Sequence, residues 1–265
     1  ALYGDAAIGG VINIFTRGAA SQSGSFGGVS TGSRNTNSVN VGYGSTVGDT
    51  QFSINAGGFK TSGFSSKNSN LVLANPDSDG YGSGYFLANI SRSINRDVQV
   101  KLMLQSFQSS SNYDGFDATA YDLFNKKNDA VGIDTKVSWN DSLTSNFNFT
   151  KSNLKYEDYL NFQLKADGLY EGSQDAYRLT NTYEMNPNTI LSFGIDQSVD
   201  QFTASGDFGY RMNRSLLGYW AGFNFRQNKW SFQGNMRNDR INSIQNNVSD
   251  STFGINSSLL GLGYQ

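Results

Sequence analysis

Stretches of about 9–12 residues that alternate apolar and polar side chains recur along this chain, and they restrict its fold more than any other feature. Val98, Val100, Leu102 and Leu104 are interleaved with Gln99, Lys101, Met103 and Gln105. Val131, Ile133, Thr135, Val137 and Trp139 alternate with Gly132, Asp134, Lys136 and Ser138. The rhythm returns at Leu143, Phe147 and Phe149, at Leu217, Tyr219, Ala221, Phe223 and Phe225, and at Trp230, Phe232 and Met236. Successive side chains of a strand point to opposite faces, so each stretch has one oily and one wet side. The linkers alternate as well. Asn95–Asp97, Trp139–Ser142, Met185–Asn188 and Gln227–Lys229 are short turns, whereas 62–83, 108–128, 155–173, 200–212 and 239–251 are long and polar. Strands of ten or more residues joined this way fit a transmembrane antiparallel β-barrel better than a soluble sandwich, whose strands average about 5–6 residues.

Twelve strands are predicted, at 23–33, 37–47, 51–61, 84–94, 97–107, 129–140, 143–155, 173–186, 188–200, 209–226, 229–240 and 252–264. Composition agrees: charged residues are 16% against about 25% in a soluble domain, and aromatics reach 14%. The net charge of −2 gives no basic stripe for nucleic acid. With no His and no Cys, the 265 residues hold no Ser–His–Asp triad, thiol nucleophile or zinc–thiolate site. No catalytic residue is assigned and no enzyme activity is expected. Glu157 and Asp158 do not make a glycosidase pair, because neighbours on a strand face opposite ways.

Residues 1–20 read differently. A turn-like Tyr3-Gly4-Asp5 leads through small residues to Gly9-Gly10 and the compact apolar run Val11-Ile12-Asn13-Ile14-Phe15-Thr16. A Gly pair before such a strand marks a tight bend or close backbone approach. There is no Gly-Lys-Ser/Thr to make it a phosphate loop. The segment is expected to be the end of a small domain packed against or inside the barrel formed by 21–265.

The run ALYGDAAIGGVINIFTR resembles the C-terminal signature of the plug domain of TonB-dependent outer-membrane receptors, through Leu2, Tyr3, Gly4, Ile8, Gly9, Gly10, Val11, Ile12, Asn13 and Ile14. Within that family the chain is similar to the cobalamin (vitamin B12) receptor branch. Asn75-Pro76-Asp77-Ser78-Asp79-Gly80-Tyr81 resembles its Asp-x-Asp-Gly loop, and Asn112-Tyr113-Asp114 its Asn-Tyr-Asp loop. Arg237-Asn238-Asp239 and Thr252-Phe253-Gly254 are similar to its later hairpin, while Ser65 stands where a further aspartate is expected. The resemblance implies a multi-pass protein of the bacterial outer membrane. Its partners would be the lipid bilayer, a scarce bulky nutrient (cobalamin first, a ferric siderophore or other chelate second) and the inner-membrane TonB energy complex. A complete barrel of the kind has about 22 strands, so both ends of this chain are expected to be truncations.

Two groups of site residues stand out. Asp77 and Asp79, two apart ahead of Gly80, can converge on a hard cation such as Ca²⁺, with Asp114, Asp122 and the Tyr113 carbonyl as further oxygens. The same residue types also build turns, and spacing alone does not choose. No other cofactor is expected. Among aromatics, Phe116, Tyr121 and Phe124 in the long linker are candidate ligand contacts. Trp139, Tyr219, Trp220 and Trp230 read as girdle residues at the membrane interfaces. A passive porin shares the barrel but not the plug signature; an outer-membrane hydrolase or a soluble carbohydrate binder fits less well.

Overall fold

The computed structural model describes residues 23–65, 67, 68, 75, 77–115, 117, 119–207, 209–246 and 248–264. The signature at 1–17, the domain boundary near residue 20 and Phe116 lie outside the described residues. Twelve strands follow one another in a single antiparallel sheet, each beside its neighbours in sequence. They are β1 (Gly24–Gly32), β2 (Thr36–Val47), β3 (Thr50–Phe64), β4 (Asp79–Ser93), β5 (Val98–Tyr113), β6 (Asp122–Ser138), β7 (Leu143–Leu160), β8 (Gln163–Asn186), β9 (Thr189–Ala204), β10 (Arg211–Gln227), β11 (Trp230–Gln245) and β12 (Val248–Tyr264).

The register explains the alternation. Leu102 faces Ile90 on β4 and Ile133 on β6, Ile133 faces Phe149, and Phe149 faces Tyr177. Leu179 faces Ile195, which faces Tyr219. One face is therefore an apolar band crossing strand after strand, with large side chains such as Ile54, Ile90, Leu104, Phe147, Phe193, Tyr219 and Phe223 exposed. The opposite face holds the buried residues of β9–β11: Asp196, Leu216, Trp220, Arg237, Asp239 and Ile241. A sheet curling toward closure brings the side chains of its concave side together and splays those outside. The polar face is thus the inner one.

One rim carries tight turns at 48–49, 94–97, 139–142, 187–188 and 228–229. Asn95 Oδ1 accepts from the Asp97 and Val98 amides, and Asn140 Oδ1 from those of Ser142 and Leu143. These Asx turns satisfy backbone donors where the ladder reverses.

The other rim departs from expectation. The predicted loop 155–173 is a continuation of β7 and β8 to a two-residue turn, Asn161-Phe162, with φ of 52° and 67°. Two positive φ values give the turn the twist that matches a hairpin. Likewise within 108–128 the strands run to Tyr113 and resume at Asp122, and within 239–251 they run to Gln245 and resume at Val248. On the outward side these segments carry charged residues such as Lys127, Lys155 and Glu157, so the oily outer face fades from the sequence while the hydrogen-bond ladder continues. The hairpin β7–β8 is also bulged: Glu157 pairs with Leu169, but Tyr159 with Leu164, leaving 165–168 as an outpocketing opposite Asp158.

Candidate functional site

Four clusters stand out: one in the loops of the long rim, two on the inner face toward that rim, and one deeper on the same face. The first is an oxygen cluster. The carboxylates of Asp77, Asp79 and Asp114 offer oxygens within 4.8 Å of one another. Ser65 joins them: its Oγ lies 3.0 Å from Asp114 Oδ2, 3.0 Å from the Asn75 carbonyl and 3.1 Å from that of Lys67. The Lys67 amide also donates to Asp114 Oδ2, at 3.1 Å. Partial burial, and then the charges of Asp79 and Asp114, raise the Asp77 carboxyl above its ordinary pKa, against a backbone hydrogen bond that lowers it. Oxygen-only donors from a flexible loop are what a hard cation takes.

The second is a clasp built on the bulge. Lys165 Nζ donates to Tyr113 Oη at 2.7 Å, and reaches Asp122 Oδ1 and Asp158 Oδ2 at 3.1 Å each. Tyr113 in turn donates to Asp158 Oδ1 at 2.6 Å. The second oxygen of the buried Asp122 accepts from the Gly115 amide at 3.0 Å. Burial, and then the bond to Asp158, push the Tyr113 phenol up to about 12. Burial would lower Lys165, but its bonds to Tyr113, Asp158 and Asp122 outweigh it and hold the ammonium above the ordinary lysine value. The clasp ties neighbouring segments together. Tyr121 stacks on Phe162 with centroids 4.7 Å apart, and Ser205 bonds to Leu169 through both its amide and its hydroxyl.

The third is an aromatic ladder. Tyr113, Phe124, Tyr156, Tyr170, Phe202 and Tyr210 stand in sequence from β5 to the start of β10, with centroid separations of 6.0, 5.4, 5.6, 6.3 and 5.7 Å. Register places the five that lie on strands on the inner face: Tyr156 faces Tyr170, on the side of Arg178 and Asp196. Each separation lies within the range of attractive ring pairs.

The fourth is deeper. Arg178, Asp196, Gly218 and Asp239 face one another across β8–β11. Arg178 Nε lies 2.5 Å from Asp196 Oδ1. Arg237 holds Asp239 at 2.8 Å and crosses β10 to Asp196 at 2.5 Å. The crossing needs Gly218, since a Cβ there would collide with the Arg237 guanidinium and the Asp239 carboxylate. Trp220 covers Gly194 beside this network, and its Nε1 has no hydrogen-bond partner among the described residues.

Of the residues singled out from sequence, Asp77, Asp79 and Asp114 meet. Asp122 and the Tyr113 hydroxyl are engaged by Lys165 instead, Tyr121 packs on the hairpin tip, and Phe124 sits within the ladder. Trp220, read as a girdle residue, is buried on the inner face, because β10 alternates with Tyr219 outward. Asp158, read as solvated loop, is held in the clasp, while Glu157 faces outward to Lys155. Lys165, Tyr156, Tyr170, Phe202 and Tyr210 carried no sequence signal, since only register aligns them.

No protein-family model and no curated protein sequence matches the chain. Solved structures do. The chain is similar to the ferric yersiniabactin uptake receptor FyuA from Yersinia pestis, with TM-score 0.74, 12% identity, and 98% of this chain and 46% of that one covered. It is similar to the siderophore receptor PiuA from Acinetobacter baumannii, with TM-score 0.67 and 10% identity over 90% of this chain and 46% of that one. The copper transporter OprC gives 0.73 and 11% over 92% and 43%. The chain thus spans a little under half the length of these structures. The likeness is one of fold: twelve antiparallel strands in a single sheet superpose on part of each of these structures. The matched structures are uptake receptors and transporters, none of them an enzyme.

Proposed function

We propose that the chain belongs to a TonB-dependent receptor of the bacterial outer membrane that imports a bulky metal chelate, with a ferric siderophore as its first ligand class. The observation that carries this reading is the two-faced sheet: an outward apolar band across the strands, and an inward wall of ion pairs and aromatic rings. The band suits lipid, and the wall suits an interior that is wet or filled by protein. The plug signature at 1–17 makes the barrel an energised receptor coupled to the inner-membrane TonB complex. The iron-chelate receptors among the matched structures favour a ferric siderophore. Cobalamin is the second reading, supported by the loop resemblance around Asp77–Tyr81 and Asn112–Asp114. The oxygen cluster of Ser65, Asp77, Asp79 and Asp114 would hold Ca²⁺ and pin the β3–β4 loop to the β5–β6 loop.

The test is fractionation and titration of the full-length protein. It should partition with outer membranes, require detergent, and bind a ferric siderophore or cobalamin by calorimetry, with affinity raised by Ca²⁺. Recovery as a detergent-free soluble protein would refute the membrane reading. Outer-membrane insertion with ion conductance and no ligand binding would favour a passive channel.

A further inference from the structure

We propose that the outward patch around Lys127 and Lys155 seats the phosphates of a lipid headgroup from the leaflet on the long-rim side; this deepens the membrane reading and rests on it. An apolar band tells only that the sheet faces lipid. The charges that border the band tell which lipid chemistry lies at its edge.

The two edges differ. Toward the short rim the outward side chains are exposed rings, Trp139, Trp230 and Tyr264 among them. Of the outward cations on the described strands, only Arg92 lies there. Lys60, Lys127, Lys151, Lys155, Arg211 and Arg240 lie on the long-rim side. The band ends at Phe86 on β4, Leu104 on β5 and Val131 on β6. Gly84, Gln108, Lys127 and Lys155 face one another across β4–β7, two residues above Phe86 and four above Leu104 and Val131. On strands tilted by about 45° that is a rise of about 5–9 Å, and headgroups add about 5–8 Å to each side of the hydrocarbon core. The row stands where headgroups stand.

Lys127 and Lys155 are directly opposite on adjacent strands, where like charges repel. Each leans on a carboxylate of its own strand, Lys127 on Asp129 and Lys155 on Glu157, and Glu171 faces Lys155 from β8. Part-exposed pairs of this kind contribute little. A phosphate, with more charge and three acceptor oxygens, can take both ammoniums at once. Beside them runs an open groove of about 510 Å³, floored by Gly82 and Gly84 and edged by Gln108, Ser110 and Asn125. Its amides and hydroxyl suit a hydroxyl-rich headgroup. Lys60, opposite Gly82 on β3, is exposed and has no ion-pair partner among the described residues. It sets another cation across the groove, as a headgroup with two phosphates requires.

The full-length protein in detergent would be titrated with lipid A, a glucosamine disaccharide lipid bearing two phosphates, and with the same lipid stripped of phosphate. Bound lipid is counted by native mass spectrometry. Intact lipid A should bind at least about tenfold more tightly than the stripped form. Lys127→Gln and Lys155→Gln should each weaken it about fivefold, and together on the order of thirtyfold, as expected for cations at a membrane surface. The double variant should keep the parent's melting temperature and its affinity for stripped lipid. Lys126→Gln, which removes the same charge from the inner face, should bind as the parent does. Equal binding of the two lipids, binding unaltered in the double variant, or an equal loss in Lys126→Gln overturns the assignment. So does inorganic phosphate that displaces lipid A at equal concentration, since the patch would then be a site for the free anion. In each of these cases a protein recovered from outer membranes that binds its nutrient leaves the receptor reading standing. A protein absent from outer membranes overturns both.

Discussion

Gly218→Ala tests how the inner wall is held together. Arg237 on β11 reaches Asp196 on β9 by passing over Gly218 of the intervening strand. The Arg237 and Asp239 side chains are each 2% exposed, so nothing in solvent can replace what they lose. A methyl at 218 must displace the guanidinium or the carboxylate. Overpacking of this kind costs about 1–3 kcal/mol. Parting a buried ion pair costs about 3–5 kcal/mol, and the two figures overlap because both describe the same displaced group. Ala recovers about 0.5–1 kcal/mol through lower unfolded-chain entropy. A net loss of about 2–4 kcal/mol follows. The assay is urea unfolding of the full-length protein in detergent, followed by tryptophan fluorescence. Gly82→Ala is the control, because a Cβ there meets nothing nearer than the Phe59 carbonyl at 3.9 Å. In an Arg237→Met background the cost of Gly218→Ala should shrink, since the two changes share the guanidinium contact and only the Asp239 carboxylate still meets the methyl. If Gly218→Ala is as stable as Gly82→Ala, or the two changes add, the crossing does not carry the stability assigned to it.

The clasp has a pH signature. The Tyr113 pKa is raised to about 12, so the stability it contributes is complete below the unfolded value near 10 and is lost as pH climbs from there through 12. Proteolysis at 114–121 should accelerate over that window in the native protein, and Tyr113→Phe should remove the step. In the oxygen cluster, burial and the neighbouring carboxylates raise Asp77, so its charge is a burden at neutral pH that a cation relieves. Asp77→Asn should raise the melting temperature without Ca²⁺ and abolish any rise on adding it, read by differential scanning fluorimetry. Ala221→Arg, between Phe193 and Met236 in the outward band on β10, should cost about 2–4 kcal/mol of stability in lipid vesicles, while Ser198→Arg, on the inner face, should cost far less. Equal effects would mean that the faces are assigned the wrong way round.

Much of the architecture was legible because it repeats. Each of the twelve predicted strands exists, since Leu102 beside Ile90 and Ile133 is the packing consequence of a period of two already visible in Val98–Leu104. The tight turns were legible from Asn95, Asn140 and Pro187. The long rim was not, because Lys127, Lys155 and Glu157 stand on the outward side of the strands where apolar residues stand lower down. A segment whose outer face is charged loses the alternation that announces a strand, though its backbone pairs as well as any other. Asp77, Asp79 and Asp114 could be proposed as partners from type and spacing, whereas Asp122 is drawn away by a lysine 43 residues further on.

By itself, then, the sequence determined the strand count, the two-sidedness of the sheet and the rhythm of its linkers, which follow from neighbours one or two residues apart. Only tertiary structure decided which polar residues meet. The ladder joins Tyr113 to Tyr210, and the wall joins Arg178 to Asp239, through register between strands far apart in sequence. A slip of one residue in any pair would turn those side chains to the other face, so no local reading of composition or spacing could have assembled them.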